Sequence, residues 1–370
     1  MKHYQKNKKT LFTMSIKKAS TLLLLLAMSL TLSAQSVNVG VMLPLHDVDG
    51  DGRRMVEYYR GILLAVDRLK RDGMDVNIHA WNVPIDGDPR PTLLQQGAKN
   101  CNVIFGPLYT KHVKVMGDFC KSYGINMVIP FSISGNDVDH NSNIYQVYQS
   151  PDELNTRAIQ QVAEHFTEYH PVFVDCNDST SKKGAFTFAL RRILEQKGIA
   201  YNITNLNSSM EMFAKAFTLG KPNLVILNTG RSPELTRAMN KLDELTDANS
   251  SVQITMFGYT EWLMYAKLNR DRFCKYNAFV PSTFYYNETS LLTQELTASY
   301  KAHFGKDMMY ALPHFALTGY DHAMYFIGNR REWVQTPLIF LKQGTSGGYR
   351  NKAFMLIHYK TNGSIESVMY

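Results

Sequence analysis

A formal net charge of +8 over 370 residues would suggest an anionic partner, but that charge is concentrated at one end of the chain. Residues 1–35 hold six lysines (Lys2, Lys6, Lys8, Lys9, Lys17, Lys18) and no acid, so the remaining 335 of 370 residues carry only +2, which gives no electrostatic case for nucleic acid or anionic lipid. Four cysteines are too few and too scattered for a disulfide scaffold or a zinc centre, and 335 residues exceed the roughly 250–300 at which a single core stops growing, so two lobes are expected.

In chain order, Lys17 and Lys18 precede an apolar run from Thr21 to Leu32, then the small residues Ser33 and Ala34 before Gln35. This pattern is that of a secretory signal peptide, cleaved near Ala34/Gln35, for which Met14 by itself opens a conventional start. The run is about a dozen residues, short of the roughly 20 needed to cross a bilayer, and no later stretch is longer. A periplasmic protein with no membrane span in its mature form is expected, and the lack of a cysteine near the cleavage site argues against a lipid anchor.

Behind the signal the pattern is strand, turn, helix. Val37–Leu45 reads as a strand and Met55–Lys70 as an amphipathic helix, followed by strands at Val76–Val83, Asn102–Phe105 and Asn126–Phe131 and a helix at Thr110–Tyr123. A second series runs through helices at Asp152–Phe166, Gly184–Lys197, Pro233–Leu245 and Glu261–Asn269 and strands at Pro171–Asp175, Tyr201–Asn205, Leu224–Asn228 and Val252–Phe257. Helices at Ser290–Phe304 and Pro313–Ile327 come next, then an alternating run Lys352–Tyr359, the turn pair Asn362-Gly363 and Ser364–Met369, a closing antiparallel ribbon. Short apolar strands alternating with helices give an α/β fold of doubly wound parallel sheets, which bind ligands at the carboxyl ends of their strands.

Several local patterns bear on chemistry. Asp47-Val-Asp49-Gly-Asp51-Gly52 imitates the start of a calcium loop, but its twelfth position is Tyr58 and a strand precedes it, so a polar strand-to-helix turn is the competing reading. Gly344-Thr-Ser346-Gly-Gly348 has the letters of a hydrolase nucleophile elbow without the strand-to-helix context, and no acid lies between Ser346 and His358. His314 and His322 read as helix-face residues, and no nucleophile, base or metal set is coherent; no enzyme activity and no cofactor are expected. Cys101 and Cys120 should lie at the same end of one sheet, where either pairing or free burial is open to them.

Five polar sets follow apolar strands: Gly106–Thr110, Phe131–Asn136, Asn177–Thr180, Asn228–Arg231 and Gly258–Glu261. Each residue singly suits helix capping; as a group they suit a ligand cleft, with Tyr109, Thr110, Ser132, Ser134, Thr229, Arg231, Tyr259 and Glu261 as its candidates. Tyr145, Tyr148, Tyr285 and Tyr286 would offer aromatic walls or an interlobe seam.

The opening VNVGVMLPL, the helix YYRGILLAVDRLKRDG, then NVIFGPL, INMVIPFSISG and FALTGYDHAMYF resemble the type I periplasmic solute-binding proteins of the leucine/isoleucine/valine-binding group, in the manner of their Bacteroidetes members. The resemblance implies two lobes joined by three crossings, with residues 36–148 and 286–331 in lobe 1 and 149–285 and 332–370 in lobe 2. It implies that Thr110, Ser132 and Ser134 take a ligand carboxylate, and that a transporter, a sensor or a cell-wall synthase is the partner. Arg231 and the displaced Glu261 depart from the family's ammonium pocket and work against branched-chain recognition. Capture of a small amino-acid-, peptide- or cell-wall-fragment-like solute is the function implied. Reuse of the fold as an interaction module, like the lipoprotein activators of penicillin-binding proteins, is the alternative.

Overall fold

The computed structural model describes residues 36–131 and 134–370; residues 1–35, where a signal peptide is expected, and the candidate Ser132 lie outside the described residues. The first series comprises strand β1 (Val37–Leu43), helix α1 (Gly50–Arg71), β2 (Val76–Asn82), β3 (Val103–Phe105), α2 (Thr110–Tyr123), β4 (Asn126–Ile129) and β5 (Ile144–Gln146). The second comprises α3 (Pro151–His165), β6 (His170–Asp175), α4 (Gly184–Gln196), β7 (Asn202–Asn205), β8 (Asn223–Leu227), α5 (Ser232–Ala248), β9 (Ile254–Phe257), α6 (Ala266–Lys275) and β10 (Phe279–Ser282). Helices α7 (Leu291–Phe304) and α8 (Phe315–Phe326) follow, then β11 (Phe340–Lys342), β12 (Tyr349–Asn351), β13 (Met355–Tyr359) and β14 (Ile365–Met369).

Two seven-stranded sheets result, ordered β11-β12-β5-β4-β3-β1-β2 and β14-β13-β10-β9-β8-β6-β7. Each contains the same five-strand parallel set, β2-β1-β3-β4-β5 in one and β7-β6-β8-β9-β10 in the other. The chain winds one way from the first strand of each set and then returns past it, so the winding reverses between β1 and β3, and again between β6 and β8. Such reversals part the loops at the carboxyl edge and open a crevice there. The remaining strands bring antiparallel pairs: β11 on β12, β13 on β10 and β14 on β13.

The strands read as apolar runs because helices cover both faces. All five residues of β8 are buried. Along β1, Val39, Val41 and Leu43 pack toward α1 and α8, whereas Met42 joins Ile104, Met127 and Ile129 on the opposite face. Cys101 and Cys120 share that second cluster as buried, free thiols, and burial pushes them up to about 11 and about 12.

Helix α8 is the most enclosed helix of the first lobe, with all eight residues from Ala316 to Ala323 buried. It crosses α1 at backbone contact: a Cβ at Gly61 would stand 1.7 Å from the Ala316 carbonyl oxygen, and one at Gly319 would stand 2.0 Å from that of Tyr58. In the same seam the Tyr58 hydroxyl hydrogen-bonds His322 Nδ1 at 2.9 Å. Beside it, Asp321 accepts the backbone N–H groups of Val334, Gln335 and Thr336 at 2.7, 2.9 and 2.7 Å, and its burial pushes the carboxyl up to about 7. That carboxylate fixes the segment leading into β11.

The chain passes between sheets after β5, after β10 and after β12. The expected placement of residues 332–370 in one lobe is therefore corrected, because β11 and β12 extend the first sheet through the β12–β5 pairing and only β13 and β14 join the second. The last crossing falls at Lys352–Phe354 rather than near Arg331. Its strands β11 and β12 are three residues each, too short to carry an alternation of their own. The crossings are tied together: Gln149 Nε2 donates to the Ala353 carbonyl at 2.6 Å, Lys352 Nζ to Glu153 at 2.8 Å, and Tyr285 N to the Gln335 carbonyl at 2.9 Å.

The α1–α8 contact yields a direct test. Gly61→Val should destabilise the protein by about 3 kcal/mol or more, read from the urea midpoint at unchanged m, since neither backbone can retreat without opening the core. A loss below about 1 kcal/mol would show that the helices separate freely.

Candidate functional site

At the first reversal the polar residues are supplied by the loops after β1, β3 and β4. Asp49 caps α1 by accepting from Gly52 N at 2.7 Å, so the helix begins at Gly50, earlier than its apolar periodicity implied. Asp51 then lies on the first turn, where it pairs with Arg54 and accepts the Tyr109 hydroxyl at 3.2 Å, bridging the loops of β1 and β3. Tyr109 is half-buried, and desolvation followed by the Asp51 charge pushes its phenol up to about 12. Thr110 opens α2, and its exposed hydroxyl oxygen accepts Ser134 N at 3.1 Å, while among the described residues its proton has no acceptor. The calcium-like pattern thus resolves into a cap and an ion pair, while Glu57 turns away to accept Met309 N at 2.8 Å and the Tyr300 hydroxyl at 2.5 Å.

At the second reversal the central group is Asp178, in the loop after β6. Its side chain is 3% exposed and accepts four hydrogen bonds: Thr180 Oγ1 at 2.7 Å, Thr229 Oγ1 at 2.8 Å, Thr180 N at 3.0 Å and Arg231 Nη1 at 3.3 Å. The Thr180 and Thr229 hydroxyls, with Arg231 behind them, hold the carboxyl down at about 2. Thr229 is buried and its oxygen also accepts Arg231 N at 3.2 Å, so one hydroxyl joins the β6 loop to the start of α5. Arg231 is half-exposed and further bonds Thr180 Oγ1 at 2.5 Å. Glu261 pairs with Lys183 at 2.6 Å, and both lie against Gly230.

The structure therefore brings Tyr109, Thr110 and Ser134 together at the first reversal, and Thr229, Arg231 and Glu261 together at the second. Tyr259 stands apart from them. Its ring is buried, its hydroxyl donates to the Leu227 carbonyl, and Lys183 Nζ sits 4.6 Å above the ring centroid, so it supports this second wall from behind. Sequence reasoning did not single out Lys183 or the full coordination of Asp178; the polar set Asn177–Thr180 was the available signal for the latter. The Gly344–Gly348 run is the hairpin loop between β11 and β12 on the first sheet, whereas His358 lies on β13 of the second and bonds Asn277 at 2.8 Å. Tyr145 stacks on Tyr349 at 4.5 Å and Tyr286 packs on His314 at 4.5 Å.

No family model matches the chain, and no curated protein matches it in sequence. Among solved structures, a putative branched-chain amino acid ABC transporter protein from Rhodospirillum rubrum superposes with a TM-score of 0.57 at 14% identity, covering 90% of this chain and 100% of that one. An ABC transporter substrate-binding protein from Desulfitobacterium hafniense in complex with Leu gives 0.44 at 14% identity, covering 90% and 100%. Full-length LpoA from Haemophilus influenzae gives 0.48 at 15% identity, covering 92% of this chain and 60% of that one. With the two sheets described above, the Rhodospirillum rubrum match defines the fold as the two-lobe type I periplasmic binding architecture.

The carboxyl of Asp178 offers a pH-resolved test of the second wall. Its pKa lies below the unfolded value, so its contribution to stability is complete above about pH 4 and is lost as pH falls through about 2. Thr229→Val removes one hydroxyl donor, and the Asp178 titration followed by carboxyl-carbon NMR should move up toward the usual carboxylate range. An unmoved titration would show that Thr229 does not hold this charge.

Proposed function

We propose that this chain is an exported ligand-binding protein of the Bacteroidetes type that captures a small polar solute between its lobes, without covalent chemistry, for a membrane transporter or sensor. The solute is amino-acid-, peptide- or cell-wall-fragment-like. One observation carries the reading. At the winding reversal of each sheet, where ligands of open α/β folds bind, partly exposed polar side chains are held in fixed positions by hydrogen bonds: Asp51 to Tyr109 in one lobe, and in the other Arg231 to the enclosed Asp178, which the buried Thr229 also holds. The Rhodospirillum rubrum neighbour, described as a putative branched-chain amino acid ABC transporter protein, supports a role in solute uptake. Among the described residues no helix is long and apolar enough to cross a membrane, in keeping with a mature form released after cleavage near Ala34/Gln35.

Thermal unfolding against amino acids, short peptides, sugars and muropeptides is the test. A native-state ligand at a hundred times its dissociation constant adds about 2.7 kcal/mol, a shift well above noise. With a hit in hand, Thr110→Ala should weaken binding about fivefold, the worth of roughly one hydrogen bond, while leaving the ligand-free midpoint nearly unchanged. No shift with any compound, together with capture of a cell-envelope protein, would replace solute capture by the interaction-module reading.

A further inference from the structure

We infer that the second wall is built for uncharged ligands bearing hydroxyl or acylated-nitrogen groups, and that it rejects a free ammonium, because its most open acid, Glu261, already pairs with Lys183. The inference rests on the capture reading above and names the chemistry that the same site accepts.

Asp178 Oδ1 accepts Thr180 N, the Thr180 hydroxyl and Arg231, and its Oδ2 accepts the Thr229 hydroxyl, with the whole side chain only 3% exposed. Asp175, at the end of β6, accepts Asn177 N and Asn228 Nδ2, both at 2.9 Å, and Asn205 Nδ2 at 3.4 Å. Glu234 lies beside the same cation, its buried Oε2 3.8 Å from Arg231 Nε and without a hydrogen-bond partner among the described residues. Glu261 is the most open acid of this wall at 46% exposure, and one of its oxygens holds Lys183 at 2.6 Å. Lys183 is 22% exposed and is held from below by the face of Tyr259.

An incoming ammonium that takes the free lone pairs of Glu261 therefore comes to lie beside Lys183, and the two like charges share one carboxylate. Closing the lobes removes water from around that like-charge pair, which raises the cost of both charges. A ligand carboxylate meets the converse obstacle, since Glu261 occupies Lys183. A hydroxyl is donor and acceptor at once: it accepts from a remaining N–H of Lys183 and donates to the free lone pairs of Glu261 without disturbing either charge. An N-acyl amide does the same with its N–H and C=O. The half-exposed Arg231 and the Thr180 hydroxyl add further neutral-ligand contacts on the same rim.

The experiment uses the mature chain and calorimetric titration with matched pairs that differ only in the amine: amino acids, amino sugars and dipeptides against their N-acetyl forms, with glucose as an amine-free sugar. The expected result is that the N-acetyl member of a binding pair is at least tenfold tighter. Lys183→Met, checked for folding by circular dichroism, frees Glu261 and should improve the amine-bearing member at least tenfold while leaving the N-acetyl member equal or weaker. Lys183→Met with Glu261→Gln should remove that gain. Amine-bearing ligands binding the unaltered protein as tightly as their N-acetyl forms would overturn the inference while leaving capture intact. Absence of binding by every pair, with a silent thermal screen, would remove the capture reading and this inference with it.

Discussion

The central strands of each sheet in this molecule bury both of their faces, and that single constraint decides where polar chemistry can stand. Interior positions along β1, β3, β6 and β8 are closed to any group that needs water or a charge partner. Polar side chains can gather where these strands stop, and the reversal of winding parts two loops at one such place in each lobe. Both places are bridged in the same manner, by a carboxylate on the first loop accepting a hydroxyl from the second: Asp51 from Tyr109, Asp178 from Thr229. Two halves with no detectable sequence repeat thus arrive at one local solution because they share one strand order.

The bridges differ in what they leave available. In the first lobe the exposed Thr110 hydroxyl proton has no acceptor among the described residues, and Asp51 divides its charge between Arg54 and Tyr109. In the second lobe Asp178 and Arg231, and Glu261 and Lys183, are paired before any ligand arrives. Four hydrogen bonds hold the Asp178 carboxylate, so Thr180, Thr229 and Arg231 are positioned in advance and need little ordering on binding. The charge pairs therefore serve as fixed geometry as much as electrostatics.

Much of this was legible in the residues. Buried parallel strands are continuous apolar runs, so β1, β3, β6 and β8 fell within a residue or so of their expected limits, and α2 began and ended at Thr110 and Tyr123 as its pattern implied. The failures share a cause. Strands β5, β11 and β12 are three residues each and carry no periodicity, so their sheet membership comes from pairing partners distant in sequence, and the lobe boundary went wrong with them. The segment from Thr260 begins as a 3-10 helix before α6, a change of winding that apolar spacing does not register. Among site residues, strand-end position was enough to find Thr229 and Arg231. It misjudged Tyr259, because whether a hydroxyl faces outward or bonds the Leu227 carbonyl depends on packing depth rather than on position along the chain. Lys183 escaped notice because its partner lies on a loop nearly eighty residues away.

The order in which the lobes are written into the chain has a consequence for biogenesis. The five parallel strands of the second lobe are contiguous between His170 and Ser282, whereas the first lobe needs α8, ending at Phe326, to cover the face presented by Val39 and Val41. A nascent chain emerging amino end first can pair those five strands while the first lobe still shows an unsheltered apolar sheet, yet the second lobe itself stays open until β13, whose Met355, Leu356 and Ile357 are buried, pairs with β10. During that interval both halves expose apolar surface and are prone to association with other unfinished chains. Both halves are therefore sealed late, the first by α8 and the second by β13 and β14.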